Sequence, residues 1–185
     1  MKPSQLPIFA FLLLASACSD GSPPHGHNVT APAFVYDLAE KQLDASSPTH
    51  EEDFRRFIDA FLLGYVQPEE GSIASTDSTF MAGIRAGERS RKKDPSAIPE
   101  VLAGFGYAPV RAAGAFSFGF EEMSFLSEED GSEKWWVLAT LGAPESTFEP
   151  CKRGTLTGYL SSAGRHGHLG AYKHQVIVQE FRCDA

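Results

Sequence analysis

The segment Ser161–Tyr172 (SSAGRHGHLGAY) carries the residues best suited to chemistry. His166 and His168 lie two apart, and His174 follows where an alternating apolar stretch begins. Three imidazoles can hold Zn²⁺ or Cu²⁺ and leave a coordination position open for water or substrate. No acidic residue lies inside the segment to orient them, so a metal site on His166, His168 and His174 is the alternative rather than the first expectation. Gly164, Gly167 and Gly170 recur at spacing three, which is neither Gly-x-Gly-x-x-Gly nor a Walker loop, and nucleotide binding is not expected.

Other catalytic patterns are missing. There is no Gly-x-Ser-x-Gly, and His50-Glu51-Glu52 is not followed by a second His four residues after the first. The turn Glu128-Glu129-Asp130-Gly131-Ser132-Glu133 lacks the alternating ligands of a calcium loop. Glu121 and Glu122, adjacent on an expected strand, point to opposite faces and cannot form a carboxylate dyad. The reading therefore disfavours an enzyme.

Charge narrows the partners. The 185 residues carry 16 basic against 24 acidic side chains, a net charge of −8. A general grip on nucleic acid needs a basic surface and is not expected. Against that acidity, Arg85, Arg89, Arg91, Lys92 and Lys93 form a basic cluster, the best docking patch for an anionic protein partner.

The first residues give an address. Lys2 precedes the apolar run Ile8-Phe9-Ala10-Phe11-Leu12-Leu13-Leu14-Ala15, which is far shorter than the ~20 residues of a spanning helix. With the small residues Ala15-Ser16-Ala17 behind it, residues 1–17 read as an export signal. The segment Leu14-Ala15-Ser16-Ala17-Cys18 resembles the lipobox of bacterial lipoproteins, although Ala15 stands where Leu is usual. The resemblance covers about a tenth of the chain. It implies that Cys18 is diacylated, becomes the new N-terminus and ties the protein to a membrane. Ser19, in place of the Asp that implies inner-membrane retention, points to the outer membrane facing the periplasm. Cleavage by an ordinary signal peptidase after Ala17, leaving a soluble periplasmic protein, is the other outcome of the same residues. Acylating Cys18 leaves Cys151 and Cys183 as a pair, and export favours their disulfide. Processing leaves 15 basic against 24 acidic residues, or −9. Such a body is expected to stand off an anionic membrane.

The elements that must position these residues follow from periodicity. Residues 18–33 hold Pro, Gly, Ser and His and read as a flexible tether. A single α+β domain then occupies 34–185, helical over 34–105 and a sheet over 108–183. A short helix is expected over Phe34–Leu43. Phe54, Phe57, Ile58, Phe61, Leu62 and Tyr65 mark one face of a second helix, with Thr49 and Glu52 as its capping box. A third runs from Asp77 to about Arg91, and Gly83 and Gly87 along it indicate close backbone packing against a neighbour. A short fourth helix ends near Gly104.

Beyond Val110 the period becomes two. Phe116, Phe118 and Phe120 share one strand face, Trp135–Ala139 reads as a strand covered on both sides, and Thr155–Leu160 and His174–Phe181 complete a four-stranded antiparallel meander, which can curl into a small open barrel. Placing Cys151 opposite Cys183 sets Leu156 facing Val178, Gly158 facing Val176 and Leu160 facing His174 on one side, with Thr157 and Tyr159 facing Ile177 and Gln175 on the other.

The first expectation is thus a membrane-anchored, non-catalytic binding module of the bacterial envelope that inhibits, protects or scaffolds a partner. The alternatives are a metal-binding or metal-dependent periplasmic enzyme on the three histidines, and a carrier of small apolar ligands on the Phe116 face.

Overall fold

The computed structural model describes residues 30–67, 73, 75–119, 122–128, 133–141 and 153–184, the side chains at 118, 119, 122 and 168 excepted. Residues 1–29, on which the expected signal and tether fall, and Cys151, Phe120, Glu121 and residues 129–132 of the expected turn lie outside them. Four helices come first: α1 (Ala33–Gln42), α2 (His50–Val66), α3 (Ser78–Lys93) and α4 (Ile98–Gly104), the last entered through a 3-10 turn at Pro95–Ala97. Five strands follow: β1 (Tyr107–Gly119), β2 (Glu122–Ser127), β3 (Lys134–Thr140), β4 (Arg153–Ser161) and β5 (Gln175–Cys183).

The expected α2 face is buried at Phe57, Ile58, Phe61 and Tyr65. Its capping box is not formed. Thr49 has ψ near 10°, makes no side-chain bond to the first-turn amides, and instead donates its hydroxyl to Asp53 (2.8 Å); Glu52 pairs with Arg56 (2.5 Å). The cap of α3 is made. Asp77 Oδ1 accepts from the Phe80 amide (3.0 Å), satisfying one orphan donor of the first turn. Its other oxygen takes the Arg56 guanidinium (3.0 Å), tying the start of α3 to α2. Gly83 and Gly87 let the two helix backbones touch: a Cβ on Gly83 would lie 2.5 Å from the Phe57 carbonyl oxygen.

The strands form a closed barrel in the order β1-β2-β3-β5-β4. This corrects the four-stranded antiparallel meander in three ways. First, the aromatic strand is two strands. The chain doubles back so that Phe116 pairs with Phe125 and Ser117 with Ser124, and both phenylalanines remain inside the barrel. Inward positions are even-numbered in β1 (Ala112, Phe116) and odd-numbered in β2 (Met123, Phe125), so the alternation changes phase across the reversal. Second, β3 and β5 are parallel, because β4 crosses to lie between β1 and β5 instead of returning beside β3. Third, the ring is shut by β1 pairing with β4 from Tyr107↔Ser161 to Ala115↔Arg153.

The β4–β5 register also differs. Gly158 faces Val178, Tyr159 faces Ile177 and Leu160 faces Val176, and a bulge after Thr157 sets Cys183 opposite Gly154. In the barrel half the slip is two residues, an even number, so the expected faces survive. Val176, Val178 and Leu156 point inward with Phe116, Phe125 and Trp135. Ile177, Tyr159 and Ala139 point outward beneath the helices with Phe57, Phe61 and Leu102. Two apolar cores thus share one wall, and β3 and β5 are covered on both faces. Phe61 is fully buried, its ring 6.1 Å from that of Phe105 and 5.9 Å from that of Tyr65; burial of such a side chain stabilises by about 1.5–3 kcal/mol.

Candidate functional site

The loop between β4 and β5 (162–174) is an ordered structure pinned at both ends. Ser161, the last residue of β4, is buried, and its Oγ accepts from the Gln175 amide (2.9 Å). His166 Nε2 lies 3.1 Å from Ser161 Oγ and 3.2 Å from the Ser162 carbonyl oxygen. A carbonyl only accepts, so this nitrogen carries the proton and donates. His174 spends Nδ1–H in the same way on the Ser161 carbonyl (2.8 Å), while its own carbonyl accepts from the Trp136 amide (3.0 Å). Both imidazoles therefore pin the loop.

Inside these anchors His166 and Tyr172 exchange backbone bonds of 2.8 and 3.1 Å, and the Gly164 amide donates to the Lys173 carbonyl (2.8 Å). The chain reverses through Gly167 (φ 67°), Leu169 (φ 57°) and Gly170 (φ 65°). At Gly167 a side chain is excluded twice: by the left-handed backbone, and because a Cβ would lie 2.7 Å from the Tyr172 ring and 2.8 Å from that of Trp136. Tyr172 leans on Trp136 with ring centroids 5.4 Å apart, and Lys134 Nζ sits 5.7 Å from the Tyr172 centroid, within cation–π range.

Leu169 stands at the apex, 81% exposed in a left-handed conformation that is uncommon for any residue but glycine. Arg165, also exposed, donates to its carbonyl (3.4 Å).

Glu133, just before β3, supplies the carboxylate that the loop itself lacks. Oε1 lies 3.3 Å from Lys173 Nζ, and Oε2 lies 3.5 Å from Trp135 Nε1 and 3.9 Å from His174 Nε2. Burial pushes this carboxyl up; the bonds from Lys173 and Trp135 and the nearby His174 charge outweigh it, so its pKa falls below the ordinary value. Beside Gln175, whose side-chain amide donates to the Tyr107 hydroxyl, burial pushes that phenol well above its usual range.

Among the described residues, no three His, Cys, Asp or Glu side chains gather in a way that could hold a metal ion; the His168 side chain lies outside them. The expected pairing of Leu160 with His174 is replaced, and His174 sits ahead of β5 with its ring beside Glu133. Phe116 is part of the packed barrel, 4.6 Å from the Phe181 ring and 5.2 Å from that of Phe125. It packs within this core. A shallow groove of about 360 Å³ lies between the 3-10 turn and the barrel, lined by Pro95, Ile98, Pro99, Leu141, Tyr159 and Gln179.

The basic cluster is displayed on one side of α3. Arg85, Arg89, Lys92 and Lys93 are exposed and Arg91 half-buried, whereas Gly83, Ile84 and Gly87 on the other side are buried against α2. Cys183 is disulfide-bonded; the other two cysteines, Cys18 and Cys151, lie outside the described residues.

Sequence reading named Ser161 only as the first residue of the loop segment and Glu133 only as part of a turn, and gave neither a role in the site. A Ser closing a strand and a Glu closing a turn carry no local signal; both meet only at the start of β5, which runs parallel to β3 and antiparallel to β4. No helix among the described residues is long and apolar enough to cross a membrane. No family model matches the chain, and neither the curated proteins nor the solved structures contain a match.

Proposed function

We propose that this chain is a lipid-anchored binding module of the bacterial envelope, held by acylated Cys18, stapled by Cys151–Cys183 and facing the periplasm from the outer membrane. Its task is to hold an anionic protein partner, as an inhibitor, protector or scaffold. The observation that carries the reading is the division of labour on α3. One side is given wholly to packing on α2, and the other holds Arg85, Arg89, Lys92 and Lys93 in solvent on a chain of net charge −8. A cationic stripe on an acidic body attracts an acidic surface and sets its orientation, and it repels further copies of the same protein less than the rest of the surface does.

The test is crosslinking in intact cells followed by affinity purification, comparing the native chain with Arg85→Glu/Arg89→Glu. The proposal expects one envelope protein that is enriched with the native chain and lost with the double reversal, while the melting temperature is unchanged. Equal recovery with both chains contradicts it.

A further inference from the structure

The tether joins the domain beside the base of the β4–β5 loop. Thr30 Oγ1 lies 3.3 Å, and Ser162 Oγ 3.6 Å, from where a Cβ would stand on Gly106, and Pro32 packs against Gly104. The Ser162 amide in turn donates to the Gly106 carbonyl (3.1 Å). Only eleven residues lie between Cys18 and Thr30, a reach of at most about 40 Å. An anchor at Cys18 therefore keeps this end of the domain close to the bilayer. Two of the three exposed large apolar side chains among the described residues are here: Phe34, four residues after Thr30 and 39% exposed, and Leu169, 81% exposed at the loop apex. Arg165 lies beside Leu169 and forms no ion pair among the described residues. Lys173 is exposed too, part of its charge spent on Glu133.

We propose that the β4–β5 loop is the domain's contact with the membrane surface: Leu169 enters the headgroup region and Arg165 meets anionic phospholipid phosphates. The rest of an acidic body is repelled by that surface, so the contact sets one orientation and leaves α3 open for its partner. One exposed leucine and one exposed arginine bind weakly by themselves, but the short tether supplies a high effective concentration. The inference rests on acylation of Cys18 for its setting, and its test is separable from that reading.

The full mature chain carrying Cys18→Ser, without acyl groups, is mixed with sedimentable vesicles of phosphatidylethanolamine and phosphatidylglycerol (about 70:30) at low ionic strength, and the partition constant is measured. Leu169→Asp is expected to lower it about tenfold, and Arg165→Glu to lower it and flatten its salt dependence. Arg85→Glu, an equal charge change away from the loop, is expected to leave it within about twofold. Leu169→Gly, which relieves the left-handed backbone and so preserves the fold, is expected to lose partitioning with melting unchanged or raised. Equal partitioning of the native, Leu169→Gly and Leu169→Asp chains overturns the contact, as does an equal loss in Arg85→Glu. Acylation of the native chain, read separately by mass, decides the anchor and leaves the vesicle result standing on its own.

Discussion

Gly87→Ala separates local helix preference from tertiary packing, because the two predict opposite signs. In a solvated helix the change gains about 1 kcal/mol. Here the added Cβ would stand 2.2 Å from the Phe61 carbonyl oxygen and 2.6 Å from the Tyr65 amide nitrogen. Both are backbone atoms, so no rotamer can move them aside, and relief requires α3 to back away from α2. That retreat also opens the contact of Gly64 with Ile84, where a Cβ would be 2.2 Å from the Ile84 carbonyl oxygen. Overpacking of this kind costs typically 1–3 kcal/mol. Rigid neighbours place it near 3, and the helix gain leaves a net loss of about 2 kcal/mol. For a chain of this size that is a fall of roughly 4–8 °C in melting temperature. Thermal unfolding followed by circular dichroism measures it, with Arg85→Ala on the exposed side of the same helix as the control, expected within about 0.5 kcal/mol of the native chain. A Gly87→Ala protein that melts at or above the native temperature refutes the backbone contact.

Three further outcomes follow from the same structure. Asp77→Ala removes both the α3 cap and the partner of Arg56 and should cost about 1 kcal/mol or somewhat more, whereas Asp77→Asn keeps the cap and should lose less; denaturant titration distinguishes them. Cys151→Ser, or reductant on the native chain, should cost about 3–4 kcal/mol by the chain-entropy argument for a closed loop of about 33 residues, and two maleimide-reactive thiols at positions 151 and 183 in unreduced, denatured protein would contradict the pairing. Glu133 titrates below the ordinary carboxylate value, so the stability it lends is complete above about pH 4.3 and is lost as pH falls through its lowered folded value. Protection factors of amides in residues 162–174, corrected for the intrinsic exchange rate at each pH, should therefore fall in that acid range, and Glu133→Gln should show the lowered protection already at neutral pH.

The parts legible in the sequence are those where one residue type reports on its own surroundings. The apolar spacing from Phe54 to Tyr65, the Asp77 start of α3 and the Gly83/Gly87 approach are local facts about single helices, and they describe the fold as it is. Strand faces were also legible: Val176 and Val178 lie inside and Ile177 outside because alternation reports burial. Strand partners were not. The inward side passes from an even position in β1 (Phe116) to odd positions in β2 (Met123, Phe125), a phase change that one unbroken strand cannot make, but nothing in β5 says that it runs parallel to β3. The cysteines suggested a register from which the observed one differs by three residues up to Thr157 and by two beyond the bulge that follows it. At the site, the histidines of the β4–β5 loop attracted attention by type, yet His166 and His174 are held by carbonyls of residues 162 and 161. The carboxylate beside His174 comes from a different strand junction.

The central claim is that Cys18 is acylated and carries this domain on a membrane. The most direct measurement is the mass of the N-terminal fragment of the native chain recovered from cell membranes. The account predicts a chain that begins at Cys18 and bears diacylglycerol. A soluble chain with an unmodified Cys18 thiol, or one that still begins at Met1, would contradict it.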